Sequence, residues 1–343
     1  MLKLKSGGVK KRLIFLLIIV ILLFGGSGIY YLSSPVEEEQ VKQQQVEIKA
    51  GMSSNQVAAT LAEAGLIREP LLFRAAVRIR GVEHRLQSGY YDFNTAMSLN
   101  EIIDSMVMGR VFKQQFTIPE GATVESIAQR IATQTDVEAE DFLTAAERLS
   151  QDFKLLQDYD LSQRKYPLEG YLFPDTYRVV RGVSSDKLVE VMLRQFMAKL
   201  DGELWAQIEE SEYKVDEIIN IASLIEGEAK YDQERELIAG VIYNRLEKGM
   251  RLQLDATVQY ALSERKDRIL YRDLEIESPY NTYRVAGLPP GPINNPGLAS
   301  IKAALNPAET DYLYYFALED GSHKFSKSYQ EHLRLQNELR YSD

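Results

Sequence analysis

Two carboxylates, Glu226 and Glu228, stand inside one of the most apolar runs of the chain, "ASLIEGEAK" (residues 222–230). Val215, Ile218, Ile219 and Ile221 precede them; Leu237, Ile238, Val241 and Ile242 follow. A charge in such surroundings is costly unless it is paired or in use. A carboxyl on an apolar helix flank has its pKa raised by desolvation, which suits a general acid working near neutral pH. On a helix at about 100° per residue the two groups lie about 200° apart. They are therefore not the close acid–nucleophile pair of a retaining glycosidase, and only one of them faces a given cleft. Glu226 projects between Ala222 and Ile219 and is the more embedded. Glu228 projects between Ile221 and Leu224, after Gly227 and next to Lys230, and fits a structural role.

Composition narrows the chemistry further. The chain of 343 residues carries 40 basic and 50 acidic side chains, no cysteine and three histidines. Five of the basic residues fall within residues 1–12, leaving 35 against 50 in the remainder. So acidic a body is a poor ligand for nucleic acid. Thiol nucleophiles, disulfides and zinc–thiolate sites are excluded, and neither a metal centre nor another cofactor is expected. Residues 13–32 form a 20-residue, mostly apolar segment, about 30 Å long as a helix. Preceded by the basic cluster, it reads as a single transmembrane anchor with residues 1–12 in the cytoplasm and the body outside it. Residues 33–45, "SSPVEEEQVKQQQ", read as a polar linker.

The elements behind the linker contain a repeat. "VEIKAGMSSNQVAATLA" and "QFTIPEGATVESIAQRIA" align at an offset of 70, with Gly51 matching Gly121 and Ser53 matching Thr123. In each copy a strand should end at a glycine turn, and the hydroxyl residue should cap a helix. A second helix follows in each, anchored by Phe73 and Phe142. "SGYYDF" supplies a returning strand to the first copy. The expected class is α+β: the transmembrane helix, a βααβ subdomain over 46–112 resembling the glycan-binding LysM module, and a larger mixed α/β body over 113–343. Within that body, helices are expected near 188–199, 215–229, 233–248 and 298–305, with a strand pair and a last helix beyond. The segment "GLPPGPINNPG" (287–297) reads as a stiff loop able to wall a groove.

Read together, "YPLEGYLFPDTY", "IASLIEGEA", "VIYNRLEKGMRLQLDATVQYAL", "PYNTYRVAGLPPGPINNPG", "IKAALNPA" and "HKF" resemble the YceG-like family of endolytic murein transglycosylases over nearly the whole chain outside the linker. The resemblance implies cleavage between N-acetylmuramic acid and N-acetylglucosamine of peptidoglycan strands without water. One carboxyl serves as acid and then base, leaving a 1,6-anhydro end. It puts that role on the first glutamate of the signature, Glu226, and implies peptidoglycan synthases as partners. Further expectations follow from the matched motifs. Glu169 orients the sugar or the acid, or else captures backbone N–H groups. Tyr171 and Phe173 stack on sugar or fill the core. Asn244 and Arg245 help build the cleft; Gln253 and Asp255 flank the extended "LQLD" piece and bind substrate, or else Asp255 caps a helix. Asn281 and Tyr283 contact glycan, while His323 and His332 are structural. Two rivals remain: a hydrolytic muramidase with Glu169 or Asp255 activating water, and a non-catalytic glycan-binding scaffold.

Overall fold

The computed structural model describes residues 15, 27–28, 30–37, 40–262, 264, 266 and 268–340. The anchor expected over 13–32 lies mostly outside them. Among the described residues no helix is long and apolar enough to cross a membrane. The chain divides into two compact units. The first holds residues up to Gln114 with Val180–Gly182, and the second holds Gln115–Val179 and Val183–Asp343.

The first unit is built on two strands, β1 (Gln43–Ile48) and β2 (Gly89–Asn94), paired antiparallel with Val46 opposite Tyr91 and Gln44 opposite Phe93. Between them run α1 (Ser54–Glu63) and α2 (Pro70–Ile79). Gly51 has φ +82°, the left-handed turn the sequence calls for. Ser53 then caps α1 in a capping box with Gln56. Alternate residues of each strand enter the core, so Val46, Ile48, Tyr91 and Phe93 meet Leu61 and Phe73. A third helix, α3 (Leu99–Val107), follows the βααβ unit and buries Ile102, Ile103 and Met106 in the same core. The sequence expectation stopped at βααβ and lacked this helix.

The second unit begins with the other copy. Strand β3 (Lys113–Thr117) leads to Gly121 at φ +73° and to Thr123, whose hydroxyl caps α4 (Val124–Gln134). Helix α5 (Ala139–Ser150) buries Phe142 completely. A long connection then reaches β4 (Thr176–Val180), which pairs with β3 and closes a second βααβ. Beyond it come α6 (Ser185–Lys199), α7 (Gly202–Glu210), α8 (Val215–Glu228), α9 (Arg235–Glu247), α10 (Asp255–Ala261) and α11 (Leu298–Leu305). Antiparallel β5 (Tyr314–Ala317) and β6 (His323–Ser326) precede α12 (Tyr329–Arg340). The body is thus mainly helical with small two-stranded ribbons, an α+β arrangement rather than an alternating one.

Helix α8 is its centre, with Ile218, Ile219, Ile221, Ala222, Leu224 and Ile225 all inaccessible. The Pro/Gly segment does not form an open wall; most of Pro289–Gly297 is buried and stitched to α8. Asn220 donates to the Pro289 carbonyl at 2.8 Å, Ser223 Oγ accepts from the Ile293 amide at 3.0 Å, and Asn294 donates to the Ser223 carbonyl at 2.8 Å. A loop so rich in proline has few amides of its own, and helix side chains supply the missing partners.

The connection before β4 is pinned at Gly170, whose φ is +92°. A Cβ there would stand 2.6 Å from Pro292 Cγ and 2.9 Å from Ile219 Cγ2. Gly170→Ala should therefore cost about 3 kcal/mol, from backbone strain and overpacking together. Denaturant midpoints of the two proteins measure it, and an unchanged midpoint would contradict the tight packing described here.

Candidate active site

Helix α8 sends Glu226 and Glu228 to different flanks, and the two meet different surroundings. Glu226 turns to the start of α11. Its Oε2 accepts from the Gly297 amide at 3.1 Å and from the Ser300 hydroxyl at 2.8 Å. Arg235, at the start of α9, pairs with the same oxygen at 3.2 Å, and both side chains are less than a tenth exposed (9% and 8%). A helix N-terminus and a guanidinium thus converge on one oxygen of Glu226. Gly297 also makes room for Glu120, whose carboxylate a Cβ at that position would strike. Burial first, then the charge of Glu226, push the Glu120 carboxyl upward in pKa.

Glu228 meets neutral donors. Its Oε1 faces the Ala256 amide at 3.4 Å, and its Oε2 accepts from the Tyr315 hydroxyl at 3.2 Å. Burial, with the charge of Asp255 acting in the same direction, raises its pKa above the ordinary carboxylate value. A raised pKa of this origin moves a carboxyl toward the range in which a general acid works. Tyr315 is itself pushed well above the usual tyrosine range by burial and by Glu228.

Ala256 belongs to the first turn of α10, and this turn opens onto solvent. An open groove of about 610 Å³ is lined by Asp255, Ala256, Gln259, Arg268, Tyr271 and Tyr283, among others. Asp255 is exposed and does not cap the helix; Leu254 holds the cap position. The Asp255 carboxylate instead accepts from the Tyr283 hydroxyl at 2.6 Å. Just before it, Gln253 has φ +53°, the only positive value at a non-glycine position among the described residues. Such a conformation costs on the order of 1–3 kcal/mol and persists only where the surroundings enforce it. Thr282 enforces it here: its carbonyl takes the Gln253 amide at 3.1 Å and its hydroxyl takes the Leu254 amide at 3.0 Å. The Gln253 side chain remains exposed. Asp255 and Tyr283 are thus brought together beside Glu228, and the strained Gln253 leads into their turn.

Other expected contacts are corrected by burial. Tyr171 is inaccessible, donates to Asp216 at 2.7 Å and packs edge-on against Phe153 and Phe196; it cannot stack on a sugar, and neither can the buried Phe173. Asn281 is fully buried and donates to the Leu274 and Ile276 carbonyls, so it shapes its turn and touches no glycan. Asn244 ties α9 to the Thr310 and Tyr312 carbonyls instead of building a cleft. Arg245 is buried, donating to the Leu252, Leu313 and Arg251 carbonyls. His323 is structural, its Nδ1 lying 2.7 Å from Glu234. His332 sits among the rings of Tyr314, Phe316 and Tyr329.

Glu169 is 1% exposed and does not reach sugar or either α8 glutamate. It accepts from the Val124 amide at 3.0 Å, from Asn295 Nδ2 at 2.9 Å and from the Tyr260 hydroxyl at 3.1 Å. The reading as a captor of backbone N–H groups holds, because Val124 N is a free donor of the first turn of α4. Sequence reasoning missed Arg235, Ser300 and Tyr315 as the partners that separate the two glutamates. Arg235 was visible as a cation nine residues after Glu226, but the others come from distant elements.

The model of the YceG-like family matches residues 46–338. The chain belongs to that family. An endolytic murein transglycosylase of Bacillus subtilis is 37% identical over 84% of this chain and 82% of its own length. One of Streptococcus pneumoniae is 31% identical over 85% of this chain, which spans 58% of that longer protein. A crystal structure of a YceG-like protein from Listeria monocytogenes, 35% identical, superposes with a TM-score of 0.61 over 86% of this chain and all of its own.

Burial drives the Glu169 pKa up to about 8 from 4.5 against the pull of its three donors. The folded state then carries the extra proton between those values, so its contribution to stability is largest at low pH and declines as pH rises towards 8. Denaturant midpoints at pH 5 and pH 8 should show this decline. Glu169→Gln should reduce it without removing it, because Glu228 titrates in the same sense. A slope unchanged in the variant would locate the proton elsewhere.

Proposed function

We propose that the chain is an endolytic murein transglycosylase in which Glu228 acts first as acid and then as base. The reading of fold and reaction class rests on family membership and on the named activity of the Bacillus and Streptococcus relatives. The choice of residue rests on one contrast. Glu226 is already engaged by Arg235, whereas Glu228 is held by neutral donors next to an open groove, with its pKa raised. This departs from the sequence expectation, which placed the acid at Glu226; Glu226 here secures the junction of α8, α9 and α11.

In the reaction, the Glu228 proton passes to the glycosidic oxygen as its bond to the muramyl C1 breaks. The C6 hydroxyl oxygen then bonds to C1, and its proton returns to Glu228. No water enters, and the product ends in 1,6-anhydro-N-acetylmuramic acid. One carboxyl suffices because the substrate carries its own nucleophile, unlike the paired carboxylates of hydrolytic glycosidases. The basic residues 1–12 and apolar residues 13–32 support single-pass anchoring, with the body outside the cytoplasm. At the membrane the body would meet nascent strands and the synthases that make them, and the LysM-like first unit would hold glycan.

Mass spectrometry of soluble products from purified peptidoglycan tests the reading. The full chain in detergent should give anhydromuramyl ends within its strands. Glu228→Gln should lower the rate by about 10³-fold with an unchanged melting temperature. Glu226→Gln should chiefly lower the melting temperature. The reverse pattern would return the acid to Glu226, reducing ends would make the enzyme a hydrolytic muramidase, and no products from any form would favour a glycan-binding scaffold.

A further inference from the structure

The turn that enters α10 is more elaborate than a helix start requires. Its leading residue, Gln253, is strained, with φ +53°. Three contacts to Thr282 hold the turn: the Gln253 amide on the carbonyl, the Leu254 amide on the hydroxyl, and the Thr257 hydroxyl at 2.8 Å. These contacts put Asp255 at the edge of the groove, beside the residue whose amide faces Glu228. Asp255 is exposed, yet one of its oxygens is fixed by Tyr283 at 2.6 Å. A surface aspartate at a first helical position needs neither the strain nor the tyrosine.

We propose that Asp255 is the second acidic group of the reaction, an anion oriented by Tyr283 that faces the sugar ring and stabilises the positive charge developing at C1. The inference rests on the assignment of the acid to Glu228. Asp255 forms no bond and exchanges no proton: the Glu228 proton goes to the leaving oxygen, the C6 oxygen closes on C1, and the C6 proton returns to Glu228. An oxocarbenium-like transition state gains from a fixed anion nearby, because charge appears there only as the bond breaks. The same anion favours the protonated form of Glu228 before the reaction begins. Other groups face Glu228 as well. Tyr315 from β5, His323 from β6, Arg245 from α9 and Tyr283 all contribute to its field, with Arg245 and His323 opposing Asp255. Asp255 is the acidic residue acting on Glu228 from this side.

Steady-state cleavage of purified glycan strands by the full chain, followed across pH, tests the assignment. Asp255→Asn should lower kcat by about 10²-fold with KM within a few-fold. Its alkaline limb should move to lower pH, because Glu228 gives up its proton more readily once the neighbouring charge is gone. Tyr283→Phe, which keeps the carboxylate and removes only its orienting hydroxyl, should show a smaller kcat loss and leave the limb near its original place. An Asp255→Asn enzyme with normal kcat, or one in which only KM rises while the pH profile stays put, would overturn the proposal and make Asp255 a glycan contact or a structural group. Glu228→Gln run alongside separates the two levels. If it is inactive while Asp255→Asn is not, the acid assignment stands and this inference fails. If Glu228→Gln is active, both fall together.

Discussion

One buried carboxyl group holds the second unit in register. Glu169 takes a backbone amide from the first turn of α4, a side-chain amide from Asn295 and a hydroxyl from Tyr260 on α10. These three donors come from segments far apart in sequence, and each would otherwise leave a buried polar group without a partner. Asn295 in turn donates to the Ala122 carbonyl and accepts the Leu172 amide, so the same node fixes the glycine turn before α4 and the loop that carries Glu169 itself. Helix α10 is placed through Tyr260, and its first turn carries Asp255 and the Ala256 amide. The position of the groove wall is therefore set from inside the protein, by a buried group.

Against that frame, α8 separates two chemically identical side chains by what waits on each flank. A guanidinium, a helix N-terminus and the Ser300 hydroxyl engage Glu226, which ties α8, α9 and α11 together. Burial, with the charge of the nearby Asp255, raises the Glu228 pKa against the pull of a tyrosine hydroxyl and a backbone amide. Gly227 between them is what lets α10 approach so closely, since a Cβ there would stand 2.8 Å from that of Ala256. The spacing E-x-E thus serves two neighbourhoods with one helix.

Much of the architecture is legible in the amino-acid sequence. Helical periodicity located α8 and α11, Ser53 and Thr123 announced their helices, and Phe73 and Phe142 were recognisable anchors because each stands one turn inside an amphipathic helix. Local pattern could not say which glutamate would be paired, because Ser300 and Tyr315 arrive from elements more than 70 residues away. It also misplaced Asn281 and Tyr171, whose residue types suit sugar contacts equally well but whose side chains satisfy carbonyls and Asp216 inside the fold. Exposure is a tertiary property, and composition alone assigns it poorly to aromatic and amide residues.

The repeated βααβ unit has a consequence for how such an enzyme came to be. In the first copy, α2 is followed within ten residues by its closing strand, with one turn of 3-10 helix (Glu83–Arg85) between. In the second, 25 residues separate α5 from β4, and that excursion carries Arg164, Glu169, Tyr171 and Asp175. The node on which the second unit is organised thus lies within a connection that the simpler copy lacks. Duplication of a small module, followed by lengthening of one of its loops, is enough to give an added helical body something to fold against. The helical body of the second unit thus folds against the lengthened loop of a βααβ module, while the first copy keeps that module in a plainer form.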